Sequence, residues 1–228
     1  MNFHFEEGEI FLIDKPFQWT SFDVVNNLRG FLRSGLGIKK MKIGHTGTLD
    51  PLATGLLILC TGRFTKQIEQ FKILDKEYTG IITLGATTPS FDLETEIDSS
   101  FSCDHITEKA ILSVSKSLTG TYEQLPPVFS AVKIGGKRAY LYARAEQEVS
   151  IKPKLITVSA FEITGIRIPH VDFRIVCSKG TYIRALARDF GKALNCGAHI
   201  TALCRTRIGQ YHLRDAWELE GLKKALLD

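Results

Sequence analysis

The spacing of hydrophobic and polar residues changes along the chain, and each spacing predicts a particular element. Residues 20–23 offer a helix start, and apolar residues recur at helical intervals over 24–32. The same intervals recur over 183–194, so both segments are predicted to be amphipathic helices. Apolar and polar residues alternate over 171–177, which is typical of a half-buried strand. Residues 56–60 are apolar throughout and predict a buried strand. The chain therefore contains both kinds of element.

The order of these elements indicates the fold class. Further helices and strands are predicted at 65–74, 77–84, 107–118, 205–213 and 217–227, with a first strand at 8–13. Strands and helices do not alternate regularly, which argues against a doubly wound parallel sheet. We therefore expect an α+β fold with a mixed, mostly antiparallel central sheet and flanking helices. No linker, low-complexity stretch or internal repeat divides the chain, so residues 1–228 are predicted to form a single domain.

One segment carries the clearest chemical signal. Residues 44–55, hereafter the motif loop, read Gly-His-Thr-Gly-Thr-Leu-Asp-Pro-Leu-Ala-Thr-Gly and precede the buried strand. Pro51 biases Asp50 away from the helical region of the backbone. A carboxylate at the mouth of a buried strand is poorly explained by packing, because charged residues are rarely buried without a partner. Asp50 is therefore a candidate for chemistry.

Three interpretations of the motif loop can be compared. A phosphate-binding P-loop requires Gly-Lys-Ser/Thr at the end of the turn, and this sequence lacks it. A structural turn in which Asp50 caps its own loop is common for aspartate. A reactive carboxylate with His45 nearby is the third interpretation, since a positioned, ionised aspartate can act as a nucleophile or general base. These residues alone leave the second and third interpretations open.

The motif loop closely resembles the signature of the TruB family of tRNA pseudouridine synthases. The resemblance of the chain to this family runs from about residue 8 to residue 211. This resemblance implies the pseudouridine synthase fold and an isomerase that converts uridine 55 in the T-loop of tRNA to pseudouridine. Four further segments match the family in order: residues 8–16 with Thr20 and Ser21, 75–78, 178–184, and 197–203 with Arg205, Thr206 and Gly209.

The resemblance also implies roles for particular residues. Asp50 is expected to be the nucleophile, and Arg184 is expected to pair with it, because a nearby opposite charge favours the ionised carboxylate. Tyr78 is expected to stack on the flipped uracil, and Tyr182 to contact the base or move a proton. From the local sequence alone, Tyr78 would be interpreted as an ordinary aromatic residue on a strand. Arg184 could equally be a solvated residue on a helix.

Three more matching residues have supporting roles in the family pattern. His45 is expected to take part in RNA recognition and in flipping the nucleotide, although a lone histidine on a strand is usually a hydrogen-bonded turn residue. Leu203 is expected to contact the base, with simple core packing as the alternative. Lys15 is expected to support the pocket structurally. No metal or organic cofactor is implied, because the reaction is a rearrangement.

The sequence departs from the family pattern at three places. Gln18 stands where the family usually has glycine, so we expect that turn to avoid positive φ. Cys204 replaces a second arginine and leaves Arg205 as the expected phosphate contact. Family members commonly carry a C-terminal PUA domain, and a chain that ends at residue 228 is expected to lack one.

Residues 123–153 differ in composition from their surroundings. Basic and aromatic residues interleave over 137–144, which suits contact with looped RNA. By resemblance, the segment is expected to be an insertion that grips the RNA and is displaced or disordered without it. The alternative is a hairpin with a short surface helix.

The composition of the chain indicates its cellular location and the kind of partner that it binds. The net charge of +4 is compatible with an RNA partner, and basic residues occur both before and after the motif loop: Arg33, Lys39, Lys40, Lys42, Lys133, Lys137, Arg138 and Arg144. The five cysteines lack a Cys-x-x-Cys pair, so neither a zinc site nor a disulfide framework is supported. No signal peptide or membrane span is predicted. We therefore expect a cytoplasmic monomer that binds the T-arm of tRNA and requires no protein partner.

Two rival functions stay open at this point. One is a relative guided by a separate RNA that works within a protein complex. The other is a tRNA-binding folding chaperone with weak or vestigial catalysis.

Overall fold

The computed structural model describes residues 3–5, 7–130, 132–145, 147 and 149–227. The chain divides into two compact units, of which unit 1 comprises Met1–Tyr78 with Leu203–Asp228 and unit 2 comprises Thr79–Ala202. Unit 1 is therefore built from two separate stretches of the chain, and unit 2 is continuous in sequence.

In chain order the helices and strands are β1 (Ile10–Lys15), α1 (Ser21–Gly35), β2 (Ile43–His45), β3 (Thr54–Thr61), α2 (Ile68–Lys72), β4 (Lys76–Leu84), β5 (Ala86–Thr87), β6 (Ser99–Ser100), α3 (Glu108–Ser117), β7 (Gly120–Gln124), β8 (Lys133–Ile134), β9 (Lys137–Arg138), α4 (Ala139–Arg144), β10 (Lys154–Arg167), β11 (His170–Cys177), α5 (Ile183–Ala193), β12 (Ala198–Ile208), β13 (Tyr211–His212) and α6 (Leu219–Leu227). Short 3₁₀ helices occupy Gly62–Gln67 and Leu213–Asp215.

Unit 1 is organised around β3. Strand β1 and strand β2 pair with it in antiparallel fashion, and β12 pairs with it in parallel. Leu57 and Leu59 of β3 pack with α1 and α6 on one face, while Leu56 and Ile58 pack with Phe71 of α2 on the other. Both faces of β3 are therefore covered, which explains why this strand is apolar throughout instead of alternating.

Helix α1 begins where the sequence predicts. The Thr20 hydroxyl accepts a hydrogen bond from the Asp23 N–H at 3.0 Å, and the Asp23 carboxylate accepts one from the Thr20 N–H at 2.8 Å. This reciprocal capping box satisfies two backbone donors at the start of the helix. Ser21 is thereby fixed at a buried position directly beside the motif loop.

Unit 2 contains strands in the order β4-β11-β10-β7, in which β10 pairs in antiparallel fashion with both β11 and β7. Helices α3 and α5 pack on these strands, and in the core the ring of Phe161 contacts the rings of both Phe173 and Phe190. The predicted α+β class with a mostly antiparallel sheet is confirmed. Strand β10 is not predicted by the hydrophobic pattern, and β12 begins earlier than the predicted strand at 205.

The segment 123–153 contains a β8–β9 hairpin followed by α4. This arrangement is the hairpin with a short surface helix that the sequence analysis gives as the alternative for this segment. Residues 131, 146 and 148 lie outside the described residues. Displacement of the segment in the absence of RNA stays a prediction.

The expectation for Gln18 is wrong, because its φ is 65°. The adjacent ammonium group explains this conformation. Lys15 Nζ donates to the carbonyl oxygens of Pro16 at 2.9 Å and Trp19 at 2.5 Å, so the turn folds around a buried cation. Within the described ranges, no helix is both long and apolar enough to cross a lipid bilayer.

Candidate active site

Asp50 lies in unit 1, half-buried in the motif loop, and the residues on either side of it are fixed by hydrogen bonds. Before it, the Leu49 N–H donates to Ser21 Oγ at 2.9 Å, and the same hydroxyl donates to the Leu49 carbonyl at 3.3 Å. After it, the Ala53 N–H donates to the Asp50 carbonyl at 3.1 Å. The backbone that carries the Asp50 carboxylate is therefore held on both sides.

Lys15 provides the next support. Its side chain is fully buried, and Nζ donates to the Pro51 carbonyl at 3.3 Å as well as to the turn around Gln18. Burial lowers the pKa of Lys15 to about 8, and the negative charge of Asp50 acts in the opposite direction. The positive charge of Lys15 thus interacts with the candidate nucleophile while its hydrogen bonds hold the following residue.

His45 lies on β2 with its Nδ1 atom buried and without a hydrogen-bond partner among the described residues. Burial lowers its pKa, the Gly47 backbone acts in the opposite direction, and the charges of Arg205 and Lys72 lower it further. The imidazole is therefore neutral at neutral pH. The Oγ1 atom of neighbouring Thr46 is also buried without a partner in the described structure. Orphan polar atoms of this kind are uncommon in native proteins and are found at functional sites.

Arg205 corrects an expectation from the sequence. The sequence leaves Arg205 as a possible phosphate contact, but only 1% of the residue is exposed. Its Nε donates to the Leu56 carbonyl at 2.8 Å, and one terminal nitrogen donates to the Gly47 carbonyl at 3.1 Å. Arg205 therefore bonds to the motif loop from within the core of unit 1.

Tyr78 and Leu203 also belong to unit 1, at the ends of its two chain stretches, and both are half-buried. Glu77, next to Tyr78, accepts a hydrogen bond from the Thr206 hydroxyl at 2.9 Å and lies 3.6 Å from a terminal nitrogen of Arg207. These contacts fix the start of β4 relative to β12 and thereby limit the movement of Tyr78.

Arg184 lies in unit 2, near the start of α5, and is buried. Its Nε atom is 3.4 Å from Asp92 Oδ2, and its terminal nitrogens donate to the carbonyls of Ser90 at 2.8 Å and Phe129 at 3.0 Å. The reading of Arg184 as a solvated residue is therefore wrong. The predicted pairing with Asp50 joins residues of the two units and stays a prediction.

Tyr182 directly precedes α5 and is held through its backbone. Its N–H donates to Gln124 Oε1 at 2.9 Å, and its carbonyl accepts from Gln124 Nε2 at 3.1 Å. The side-chain amide of Gln124 thus fixes the backbone of Tyr182 on both sides, two residues before Arg184. Gln124 and Asp92 were both missed by sequence reasoning, because each stands in a polar stretch with no local pattern that indicates its partner.

Among the described residues, no group of three or more His, Cys, Asp or Glu side chains is arranged to hold a metal ion. Two of the carboxylates interact with buried cationic side chains: Asp50 with the charge of Lys15 in unit 1, and Asp92 with Arg184 in unit 2. Each unit thus supplies acidic and basic groups of the kind used in acid–base and nucleophilic chemistry.

Comparison with known proteins identifies the family. Residues 33–183 match the N-terminal domain model of the TruB family of pseudouridylate synthases, and residues 184–228 match the C-terminal domain model of tRNA pseudouridylate synthase B. The chain belongs to the TruB family. A tRNA pseudouridine synthase B from Phocaeicola vulgatus is 51% identical over 223 residues, which cover 98% of this chain and 95% of that protein. One from Parabacteroides distasonis is 54% identical over 209 residues, 92% of this chain and 89% of that protein.

Solved structures share the fold of this chain. A chain in the crystal structure of a Cbf5-Nop10-Gar1 complex matches with a TM-score of 0.72 and 28% identity over 97% of this chain and 55% of that one. A chain of an H/ACA RNP bound to a substrate RNA containing 2′-deoxyuridine matches with a TM-score of 0.69 and 25% identity, over 96% and 53% of the two chains. The chain thus spans about half the length of these structural neighbours. The predictions of the family and of the pseudouridine synthase fold are confirmed.

Proposed function

We propose that this TruB-family protein is a tRNA pseudouridine synthase that isomerises uridine 55 in the T-arm, with Asp50 as the nucleophile. The observation that carries this proposal is the match, at 51% identity and over almost the whole chain, to relatives named tRNA pseudouridine synthase B. The fixed backbone on both sides of Asp50 supports its role, because a nucleophile must be held in a defined position to react efficiently.

The reaction proposed for Asp50 conserves every atom of the substrate. The carboxylate attacks the target nucleotide and assists cleavage of the bond between N1 of uracil and C1′ of the ribose. The base then rotates, a bond forms between C5 and C1′, and the bond between Asp50 and the nucleotide breaks, which restores the free carboxylate. The proton on C5 is removed while N1 gains one. Tyr182 is the candidate for the proton movement, and no oxidant or cofactor is required for this balance.

A base within a stacked loop cannot reach a carboxylate, so the nucleotide must first be extruded. Extrusion costs a few kcal/mol, and stacking on an aromatic side chain returns roughly 1–3 kcal/mol per base. We assign the stacking role to Tyr78 and a base contact to Leu203. His45 is neutral, so its contribution to recognition and flipping is assigned to shape and hydrogen bonding, not to charge.

A basic pocket in unit 1 supports an RNA partner. It has a volume of about 600 Å³ and is lined by four cationic side chains together with apolar ones: Lys40, Lys42, Arg63, Lys66, Phe5, Ile38 and Met41. Lysine and arginine side chains that face solvent together bind phosphate groups and release counterions from RNA. Of the basic residues singled out in the sequence, Lys40 and Lys42 line this pocket, whereas Arg144 pairs with Glu94 at 3.0 Å.

A second candidate is a synthase that acts within a protein complex and is guided by a separate RNA. The TM-score of 0.72 to a chain from a Cbf5-Nop10-Gar1 complex favours it. The first candidate is preferred because sequence identity to the tRNA pseudouridine synthase B relatives is much higher, at 51% against 28%.

A reconstitution assay separates these candidates. Purified protein and an unmodified tRNA transcript, without added metal, ATP or guide RNA, are expected to yield pseudouridine at position 55 alone, mapped by chemical probing. Asp50→Asn is expected to abolish turnover while tRNA binding is largely retained. Normal turnover by Asp50→Asn would refute the nucleophile assignment, and activity that requires an added guide RNA would establish the second candidate. If the parent and Asp50→Asn proteins both refold a misfolded tRNA and neither produces pseudouridine, the protein is a tRNA-binding folding chaperone.

A further inference from the structure

The register of the parallel pair β3–β12 brings Arg205 opposite Gly55, the last residue of the motif loop. Gly55 has a φ of +101°, and a Cβ atom there would lie 2.4 Å from the Arg205 carbonyl oxygen and 2.8 Å from its nitrogen. The two backbones therefore approach each other as closely as only glycine allows. From this position the Arg205 side chain extends beneath the motif loop.

The guanidinium group joins two separate points of the loop region. It reaches the Gly47 carbonyl, which lies before Asp50, and the Leu56 carbonyl, which lies after it. Both bonds are shorter than 3.2 Å, and the side chain that makes them is almost fully buried. Arginine suits this task because its planar fork presents several donors in a fixed geometry, whereas lysine presents a single ammonium group.

Arg205 also influences His45. The Gly47 backbone raises the pKa of the His45 ring, and the positive charge of Arg205 lowers it. The same charge acts on Lys15, whose own hydrogen bond holds Pro51. Arg205 thus contacts or influences the supports on both sides of Asp50.

We propose that Arg205 is a positioning residue that sets the distance between the two arms of the motif loop and thereby the placement of Asp50 and His45. This proposal rests on the proposed function of Asp50. In this role Arg205 acts through the Gly47 and Leu56 carbonyls and not through the substrate. The phosphate-binding role that the sequence suggested is replaced by an internal one.

Two variants separate the geometry of Arg205 from its charge. Arg205→Met removes both hydrogen bonds and the charge, whereas Arg205→Lys keeps the charge but cannot bond to both carbonyls in the same way. Arg167→Met is the control, because Arg167 also lies on a strand and donates two hydrogen bonds, at 3.1 Å and 2.8 Å, but both go to the Asp172 carboxylate, which is not part of the motif loop. All proteins are full-length, and rates are corrected for the folded fraction measured by circular dichroism.

With saturating tRNA transcript, Arg205→Met is expected to lower kcat roughly 100-fold, the loss typical of a misplaced catalytic group, while KM changes less than about threefold. Arg205→Lys is expected to lose much of kcat as well, and Arg167→Met to stay close to the parent. If Arg205→Met fails to fold, Arg205→Lys carries the test. Parental kcat in Arg205→Lys, or an equal loss in Arg167→Met, would overturn the proposal.

A readout that does not depend on activity completes the test. The pKa of His45, followed by NMR, is expected to rise in Arg205→Met and to stay low in Arg205→Lys, because only the first variant removes the positive charge. The charges that face His45 are those of Arg205 and Lys72, so Lys72 is left unchanged. An unaltered His45 pKa in Arg205→Met would refute the placement of Arg205 beside the loop, whereas an active Asp50→Asn protein would refute only the proposed function.

Discussion

A Cβ atom on Gly55 would lie 2.4 Å from the carbonyl oxygen of Arg205, a separation that no pair of such atoms tolerates. This contact arises where the parallel strands β3 and β12 meet. It explains why the motif loop ends in glycine, and it links the end of that loop to a residue far away in sequence.

Gly55→Ala is therefore expected to destabilise the protein by roughly 3 kcal/mol, because it adds backbone strain at positive φ to a clash that the strand pair cannot relieve. Urea denaturation measures this loss. Gly30→Ala is the matched control, since Gly30 lies within α1 and a Cβ atom there would meet nothing within 4 Å. That variant is expected to gain about 0.5–1 kcal/mol from helix propensity. Equal effects of the two substitutions would contradict the close approach.

The ion pair between Arg184 and Asp92 gives a second prediction. Both side chains are buried, and removal of one partner from a buried pair typically costs about 3–5 kcal/mol. Asp92→Asn is expected to lose stability in this range and to lower turnover, because Arg184 loses a charged contact that fixes it. Chemical denaturation and tRNA turnover are the two measurements.

Asp172→Asn is the control for Asp92→Asn. Asp172 pairs with Arg167 at 2.8 Å in the same unit, but 71% of the Arg167 side chain is exposed. An exposed pair of this kind contributes at most about 1 kcal/mol. A loss from Asp92→Asn no larger than that from Asp172→Asn would show that burial of the Arg184 pair is energetically unimportant.

Lys15 predicts a dependence of stability on pH. Burial lowers its pKa from 10.5 to about 8 in the folded protein, so between these values the unfolded state binds more protons than the folded state. Stability therefore rises with pH across this window as far as Lys15 is concerned. The free energy of unfolding of the parent, relative to that of Lys15→Met, is expected to increase by about 2 kcal/mol or more from pH 7.5 to pH 10. A difference that is constant with pH would contradict this prediction.

Local patterns in the sequence were sufficient to predict several elements. Thr20 and Asp23 form a capping box within four residues, and the apolar run 56–60 is a buried strand, so each signal lies within the element that it specifies. The position of Asp50 in a defined loop before β3 could be predicted for the same reason.

Strand β10 was not predictable because its alternation is interrupted. The pairing of β10 with β11 shifts register between Val158 and Ala160 and again between Ile163 and Gly165. Each irregularity exchanges the faces to which the following side chains point, so the period of two residues does not persist along the strand. A pattern search over the segment consequently finds no continuous strand signal.

The contacts that hold the candidate site are non-local, and this explains the errors about particular residues. Arg205 reaches Gly47, and Arg184 reaches Asp92, across long separations in sequence. Whether an arginine lies at the surface or in the core depends on such contacts, and composition cannot reveal them. Gln18 adopts positive φ for a similar reason, because the ammonium group of Lys15 organises the turn around it.

Unit 1 is assembled from both ends of the chain. During translation the motif loop leaves the ribosome long before β12 is synthesised, so Asp50 emerges without the arginine that bonds to its loop. Completion of the site must wait until all of unit 2 has been made. A nascent or truncated chain that stops before β12 would carry Asp50 without the hydrogen bonds from Arg205, and it is expected to leave RNA unmodified.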